Sequence, residues 1–265
     1  MITSATLYAG SMIGLYQLWY KDYAQSNFHF FNDNNEWLQM DKLGHFTTAY
    51  YISRIGFESL RWCGLDSKPA AWLGSMSSFL FLTTIEVFDG FSSEWGASPG
   101  DLIANTGGML LFASQQTFWS EQRMLMKFSF RQSNYAAHRP DLLGKSFVEN
   151  LVKDYNGQTY WLSVNLKSFL KKNSKLPAWL NLAIGYGAEG MTGSSAESSI
   201  SVIDPGLNFK RYRQFYLAPD IDISRIKTRH NGLGLFLKTF GFIKFPLPCL
   251  EYNTVNGFIF HGIYF

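Results

Sequence analysis

Three short polar clusters interrupt otherwise apolar stretches of the chain: Asp41-Lys42-x-x-His45, Glu86-x-x-Asp89 and Ser98-x-x-Asp101-x-x-x-Asn105. Charged and titratable groups are costly in such surroundings unless they meet one another. Asp41 and His45 are spaced i,i+4, Glu86 and Asp89 i,i+3, and Asp101 and Asn105 i,i+4, so each pair shares one face of a helix. The pattern predicts three helical faces converging on one buried polar site. Two chemistries fit these residue types. In one, His45 is a general base oriented by Asp41, with Glu86, Asp89 and Asp101 holding a substrate or a divalent ion. In the other, the groups form a structural network: Lys42 or His45 pairs with Glu86, while Asp101 and Asn105 cap backbone. The structural network is the favoured reading. No catalytic residue is therefore assigned and no cofactor is expected, with a divalent metal as the lesser alternative. The chain has no Gly-x-Ser-x-Gly elbow, no phosphate loop and no dinucleotide fingerprint.

Helices must position these clusters. One is expected from near Asp41 to about Trp62, ended by Gly64 and Pro69. The next, Ala70 to Phe88, is uncharged until Glu86 and close to the ~20 residues that span a bilayer. A third runs from Pro99 to Trp119, with Ser98 as N-cap, Pro99 in the first position and Asp101 in the first turn. Residues 5–20 carry no charge and suit a further hydrophobic helix. The loop from Asn27 to Glu36 combines Phe28, Phe30, Phe31 and the following Trp37 with polar residues; it suits a partner interface, a membrane-interface belt or a fold back onto its own core.

From about Leu125 the period changes to two. Strands are expected near 124–131, 160–166, 180–189, 213–223, 247–253 and 258–265, with a short amphipathic helix over 231–243. In the second strand Trp161, Ser163 and Asn165 share one face and Tyr160, Leu162 and Val164 the other. The Gly185-Tyr186-Gly187 pair reads as close strand packing. About six strands are fewer than the eight of small membrane barrels. Cys63 and Cys249 are expected to be buried free thiols, and His29, His138, His230 and His261 to be isolated.

Composition narrows the class. Aromatics reach 17%, from 24 Phe, 14 Tyr and 8 Trp, while charged residues are only 16%, against about 25% in soluble domains. Such a chain meets lipid or a large partner surface. A mean hydropathy of -0.07 argues against a purely helical membrane bundle and suits a sheet whose apolar and polar faces alternate. A net charge of +3 is too small to imply nucleic-acid binding, and no basic run stands out, so no nucleic-acid partner is expected. Met1 to Trp19 has no basic n-region, so no intact secretory signal is expected there.

Residues 37–112 resemble the YfiM-like group of periplasmic proteins and lipoproteins. The resemblance lies in Asp41-Lys42-Leu43-Gly44-His45, Glu86-Val87-Phe88-Asp89 and Ser98-Pro99-Gly100-Asp101, followed by Asn105 and Gly108. VanZ-like membrane proteins are similar in placing the same residue types on short apolar helices. The strings 19–23, 28–33 and 36–42, and Lys153 to Ser163, resemble a Bacteroidota branch of the group. The final strand, Phe258 to Phe265, resembles the C-terminal signature of outer-membrane barrels. These resemblances imply a Gram-negative envelope, at the outer membrane or, alternatively, in an inner membrane facing the periplasm. The expectation is an α+β protein: an apolar helical region over 1–120, and a β-rich region over 121–265 forming a barrel or barrel-like sheet among outer-membrane lipid. The expected role is a non-enzymatic structural or accessory subunit of a hetero-oligomeric outer-membrane assembly. The type 9 secretion translocon, the barrel-insertion machinery and nutrient-uptake complexes are the candidates. The alternative role is a membrane-embedded enzyme or lipid-binding protein acting at Asp41, His45, Glu86 and Asp101.

Overall fold

The computed structural model describes residues 10, 13, 14, 24–171 and 173–265. Most of the hydrophobic helix expected over 5–20 lies outside these residues. The architecture is α+β, with helices first and an antiparallel sheet after them. The chain divides into two compact units, one holding residues up to Asn34 together with Thr48–Ser120, the other Asn35–Thr47 together with Glu121–Phe265.

The first unit is built on α1 (Met40–Trp62, which crosses the division between Thr47 and Thr48), α2 (Ser67–Gly90) and α3 (Pro99–Trp119). α2 is long and apolar enough to cross a membrane, by length and composition. The helices approach through small residues. A Cβ on Gly74 would lie 2.4 Å from the backbone nitrogen of Phe57, and one on Gly56 2.9 Å from the Cα of Gly74. Ala49, Ser53, Ala70, Ser75 and Ser78 are buried along the same interfaces. Ser78 of α2 donates across to the Ala49 carbonyl of α1 at 2.9 Å. Small residues and hydroxyls at the seam, with large apolar groups outside, are how helices pack in lipid. Outside stand Ile55, Trp72, Leu80, Ile103 and Phe118, all exposed.

The aromatic loop folds back within this unit. Its backbone pairs with the α2–α3 connection: His29 N–H reaches the Gly90 carbonyl at 2.9 Å, and Ala97 N–H the His29 carbonyl at 3.0 Å. A Cβ on Gly90 would meet the Phe28 ring. Phe28, Phe30 and Phe31 nevertheless keep exposed surface.

In the second unit six strands form an antiparallel meander in chain order: β1 (Met124–Phe130), β2 (Gln158–Asn165), β3 (Leu180–Glu189), β4 (Tyr212–Ile221), β5 (Leu247–Asn253) and β6 (Gly257–Tyr264). The expected barrel is not closed, because β1 and β6 do not pair with each other. The outer edge of β1 instead takes a parallel bridge from Ile243 to Phe128. A helix α4 (Phe147–Lys153) precedes β2, and α5 (Asn231–Thr239) lies within the expected amphipathic segment.

Register sorts the side chains into rows. Phe128, Tyr160, Tyr186, Phe215, Tyr252 and Phe258 are successive cross-strand partners, one aromatic from each strand. Beside this row runs a second: Met126, Leu162, Ile184, Leu217, Leu250 and Phe260. The β1–β3 end of this face is covered within the unit by Trp37, Leu38, Met40 and Leu43, which pack on Tyr160, Tyr186 and Met191. Toward β6 the face is exposed, with Ile184 at 56% and Phe260 at 71%.

The opposite face is buried and polar. It carries Lys127, Ser163, Asn165, Asn181, Asp220 and Glu251, interleaved with Trp161, Tyr216 and small residues. Gly185 makes room for Trp161, whose ring a Cβ there would strike at 2.6 Å. A soluble sheet hides its apolar face and wets its polar one; this sheet does the reverse.

Candidate functional site

The three clusters divide between the two units. Glu86, Asp89, Ser98, Asp101 and Asn105 stand in the helical unit; Asp41, Lys42 and His45 begin α1 in the other.

Around the start of α3, Ser98 is the hub. Its extended backbone ends the preceding turn, and its Oγ accepts from the Asp101 N–H at 3.1 Å, as an N-cap should. The same hydroxyl donates to Asp33 Oδ1 at 2.6 Å. The Ser98 N–H donates to Glu86 Oε2 at 3.1 Å. Three carboxylates thus surround the positive end of a 21-residue helix, where the macrodipole favours negative charge. Glu86, Ser98, Asp101 and Asn105 are all buried, with Asn105 one turn beyond Asp101 on the same face. Asp89 is half-buried at the end of α2, and its carbonyl accepts from Ser92 at 3.0 Å. Glu86 thus accepts from the backbone of the Ser98 cap, and Ser98 links that cap to the Asp33 carboxylate. Asp33 was not anticipated; its signal was the Asn-rich turn it sits in.

At the start of α1, Asp41 is the acceptor. Tyr155 donates to its Oδ1 at 2.9 Å, Lys42 to its Oδ2 at 3.2 Å, and His45 Nε2 lies 3.8 Å from Oδ1. His45 is therefore oriented toward Asp41 as its spacing predicts. Gly44 lets this turn lie against Tyr160, since a Cβ there would sit 3.1 Å from the phenol oxygen. Tyr160 in turn donates to Gln158 at 2.8 Å. The entry to the helix is unusual: Trp37, Leu38 and Gln39 have left-handed backbone, with φ of 45°, 50° and 65°. Such residues cost about 1–2 kcal/mol each and persist only when surroundings fix them. Here Ser194 accepts from the Trp37 N–H, Tyr186 donates to the Leu38 carbonyl, and Arg213 donates to the Gln39 side chain.

The Lys153–Ser163 string supplies the floor beneath these contacts. Asp154 accepts from Ser133 at 2.5 Å, and Asn156 clamps both the N–H and the carbonyl of Met191, at 2.7 and 2.8 Å.

The sheet interior holds a third polar centre that periodicity alone did not single out. Lys127 of β1 pairs with Asp220 of β4 at 2.7 Å, although two strands separate them. Lys244 approaches the same carboxylate at 3.5 Å and lies 5.0 Å above the Trp161 ring. Ser163 of β2 adds a 2.6 Å bond to Asp220. On the far side Tyr264 of β6 bonds Thr159 of β2 and Tyr216 of β4, at 3.2 and 2.6 Å. These bonds bring non-neighbouring strands together and curl the sheet around its own side chains. The available signal was a lone lysine in the middle of Met124–Phe130: a charge on the inner face of a strand must find a counter-charge. His261, expected to be isolated, is 2.7 Å from Glu251, because the register sets β6 beside β5. Cys249 is a buried free thiol as expected. Cys63 is free but exposed, because it falls just past the end of α1.

The comparisons with known proteins bear on the first half. Residues 29–115 match the family described as predicted periplasmic lipoprotein (DUF2279). No curated protein matches the chain, and no solved structure does. The matched stretch contains all three polar clusters, so over this third of the chain the similarity is to a family of the cell envelope.

Proposed function

We propose that this protein is a non-enzymatic structural or accessory subunit of an outer-membrane protein complex in a Gram-negative envelope, with its sheet seated in lipid. The observation that carries the reading is the inverted sheet: on one face a row of aromatics and a row of apolar residues, whose members Phe215, Leu217, Leu250, Tyr252, Phe258 and Phe260 on β4–β6 are exposed, and on the other face buried polar groups. Lipid-facing strands alternate in this sense, with aromatics banded at the interface. β3 and β4 have 10 residues each, matching the roughly 9–11 that a tilted strand needs to span. The similarity to an envelope family supports the compartment. The bonds at Ser98 and Asp41 support a non-enzymatic role, since they cap a helix and fix a turn. A Bacteroidota source would make the type 9 secretion translocon the first assembly to look for.

The test is affinity purification of the tagged chain from a mild-detergent outer-membrane extract, followed by mass spectrometry. A stoichiometric larger partner supports the proposal. Recovery of the chain alone, or from the soluble fraction, overturns it and returns attention to His45 and Asp101 as sites of chemistry.

A further inference from the structure

The outer edge of β6 is the least defended backbone in the sheet. β1 has its outer edge engaged: Lys244 N–H donates to the Phe128 carbonyl at 2.9 Å. Among the described residues, β6 has backbone pairing on the β5 side alone. Natural edge strands are blunted by lysine, proline, shortness or a bulge. β6 reads Gly-Phe-Ile-Phe-His-Gly-Ile-Tyr, eight residues without proline, lysine or acid. Its one irregularity is at the far end, where the register against β5 slips between His261 and Tyr264. Gly257 to His261 therefore offers a regular, unguarded ladder. Phe258 at 72% and Phe260 at 71% exposure end the two outer rows there, and each row stops with nothing beyond it among the described residues.

In water such an edge is an aggregation hazard. In hydrocarbon it is worse, because backbone groups without partners lose water as well. Both problems are solved by one more strand. We infer that β6 receives an added strand from a partner protein, the edge strand of another lipid-facing β-sheet. Its outward residues would be aromatic opposite Phe258 and apolar opposite Phe260, continuing both rows. Its inward residues would continue the two inner rows that end on β6, Glu251 with Ile259 and Cys249 with His261. Main-chain bonds would supply the affinity and the alternation the specificity, as in strand addition generally. This inference rests on the proposed role as a subunit and names the surface through which that role is exercised.

The experiment places a photo-crosslinking amino acid at Phe258 or Phe260 of the full chain in intact cells, with Ile184 and Leu217 as mid-sheet comparators. All four side chains are exposed, so the label does not disturb the core. The expected result is one discrete adduct from both β6 positions, containing a membrane β-protein, and none from Ile184 or Leu217. A co-purifying partner that crosslinks equally at the comparators, or not at β6, overturns the inference while leaving the subunit role intact. An adduct of twice the chain's mass overturns it in favour of a second copy. Failure of any partner to co-purify overturns the subunit role itself.

Discussion

The helical unit and the sheet unit both present apolar residues outward, yet they conceal polarity differently. In the helical unit the seam is lined by Gly56, Gly74, Ala49, Ser53 and Ser78, and ionisable groups gather at the start of α3. In the sheet every strand has polar inward positions, and Lys127, Asp220, Lys244 and Glu251 are distributed through the interior. Backbone chemistry explains the difference. A helix satisfies its own N–H and C=O groups, so it needs polar side chains only at its ends. A curled six-stranded sheet encloses a narrow space that half of each strand must enter. Filling that space with paired polar groups holds non-neighbouring strands at fixed separations, and the outer face is left apolar. A similar exterior is thus reached by a point-like and by a distributed use of charge.

The comparison breaks most severely at Asp220. Replacing it with alanine leaves Lys127 and Lys244 as two buried ammonium groups that share no carboxylate. Removing one partner of a buried pair costs about 3–5 kcal/mol. The expected outcome for Asp220→Ala is loss of the folded protein from the membrane fraction, read by immunoblot and by thermal unfolding in detergent. Asp220→Asn keeps the shape and loses the charge, so it should be nearly as damaging; wild-type stability in Asp220→Asn would show that charge in the sheet is incidental.

The outer faces are tested next, one substitution in each unit. Ile184→Arg places a charge in the middle of the exposed sheet face, and Leu80→Arg does the same on α2. On a surface facing water either change is worth within about 0.5 kcal/mol. Facing lipid, an arginine near mid-bilayer costs about 2–4 kcal/mol on a strand and about 2.5–3.5 kcal/mol on a helix. Comparing unfolding and membrane retention of the two variants shows which unit meets lipid. Two neutral results would remove the physical basis of the membrane seat.

How much of this was legible depends on the kind of constraint. Periodicity placed α3 at Pro99–Trp119, β3 at Leu180–Glu189 and β5 at Leu247–Asn253, because caps, prolines and alternation are local signals. The inward set Trp161, Ser163 and Asn165 followed from alternation as well. The partners of those residues did not. Asp33 meets Ser98 across 65 positions, and Lys127 meets Asp220 across 93. Nothing at either end of such a pair names the other. The left-handed turn at Trp37–Gln39 was hidden for a different reason: no glycine marks it, and it is held by contacts from distant strands. Of the expected barrel or barrel-like sheet, the closed barrel is not formed among the described residues: β1 and β6 do not pair, and Ile243 bridges the β1 edge instead.

Packing in the helical unit is sharpened by Gly74→Val. Gly74 faces backbone, and Phe57 cannot withdraw without moving α1. Overpacking of this kind costs about 1–3 kcal/mol. A lowered melting temperature is expected, with the signal confined to the helices in hydrogen exchange. Equal loss of protection in β3 and β4 would mean that the two units do not unfold separately.

The smallest effect carries the finest distinction. Ser98→Ala removes the acceptor for the Asp101 N–H and the donor to Asp33, and loss of a cap costs about 1 kcal/mol. Aspartate caps helices about as well as serine does, so Ser98→Asp would restore stability if capping were the whole role. Here the new carboxylate would stand among Asp33, Glu86 and Asp101, where like charges repel. Ser98→Asp is therefore expected to be less stable than Ser98→Ala at neutral pH, with the deficit shrinking as the pH is lowered and carboxylates protonate. If Ser98→Asp instead matched the wild type, the polar centre of the helical unit would reduce to a single cap, and its contrast with the charge network of the sheet would be complete.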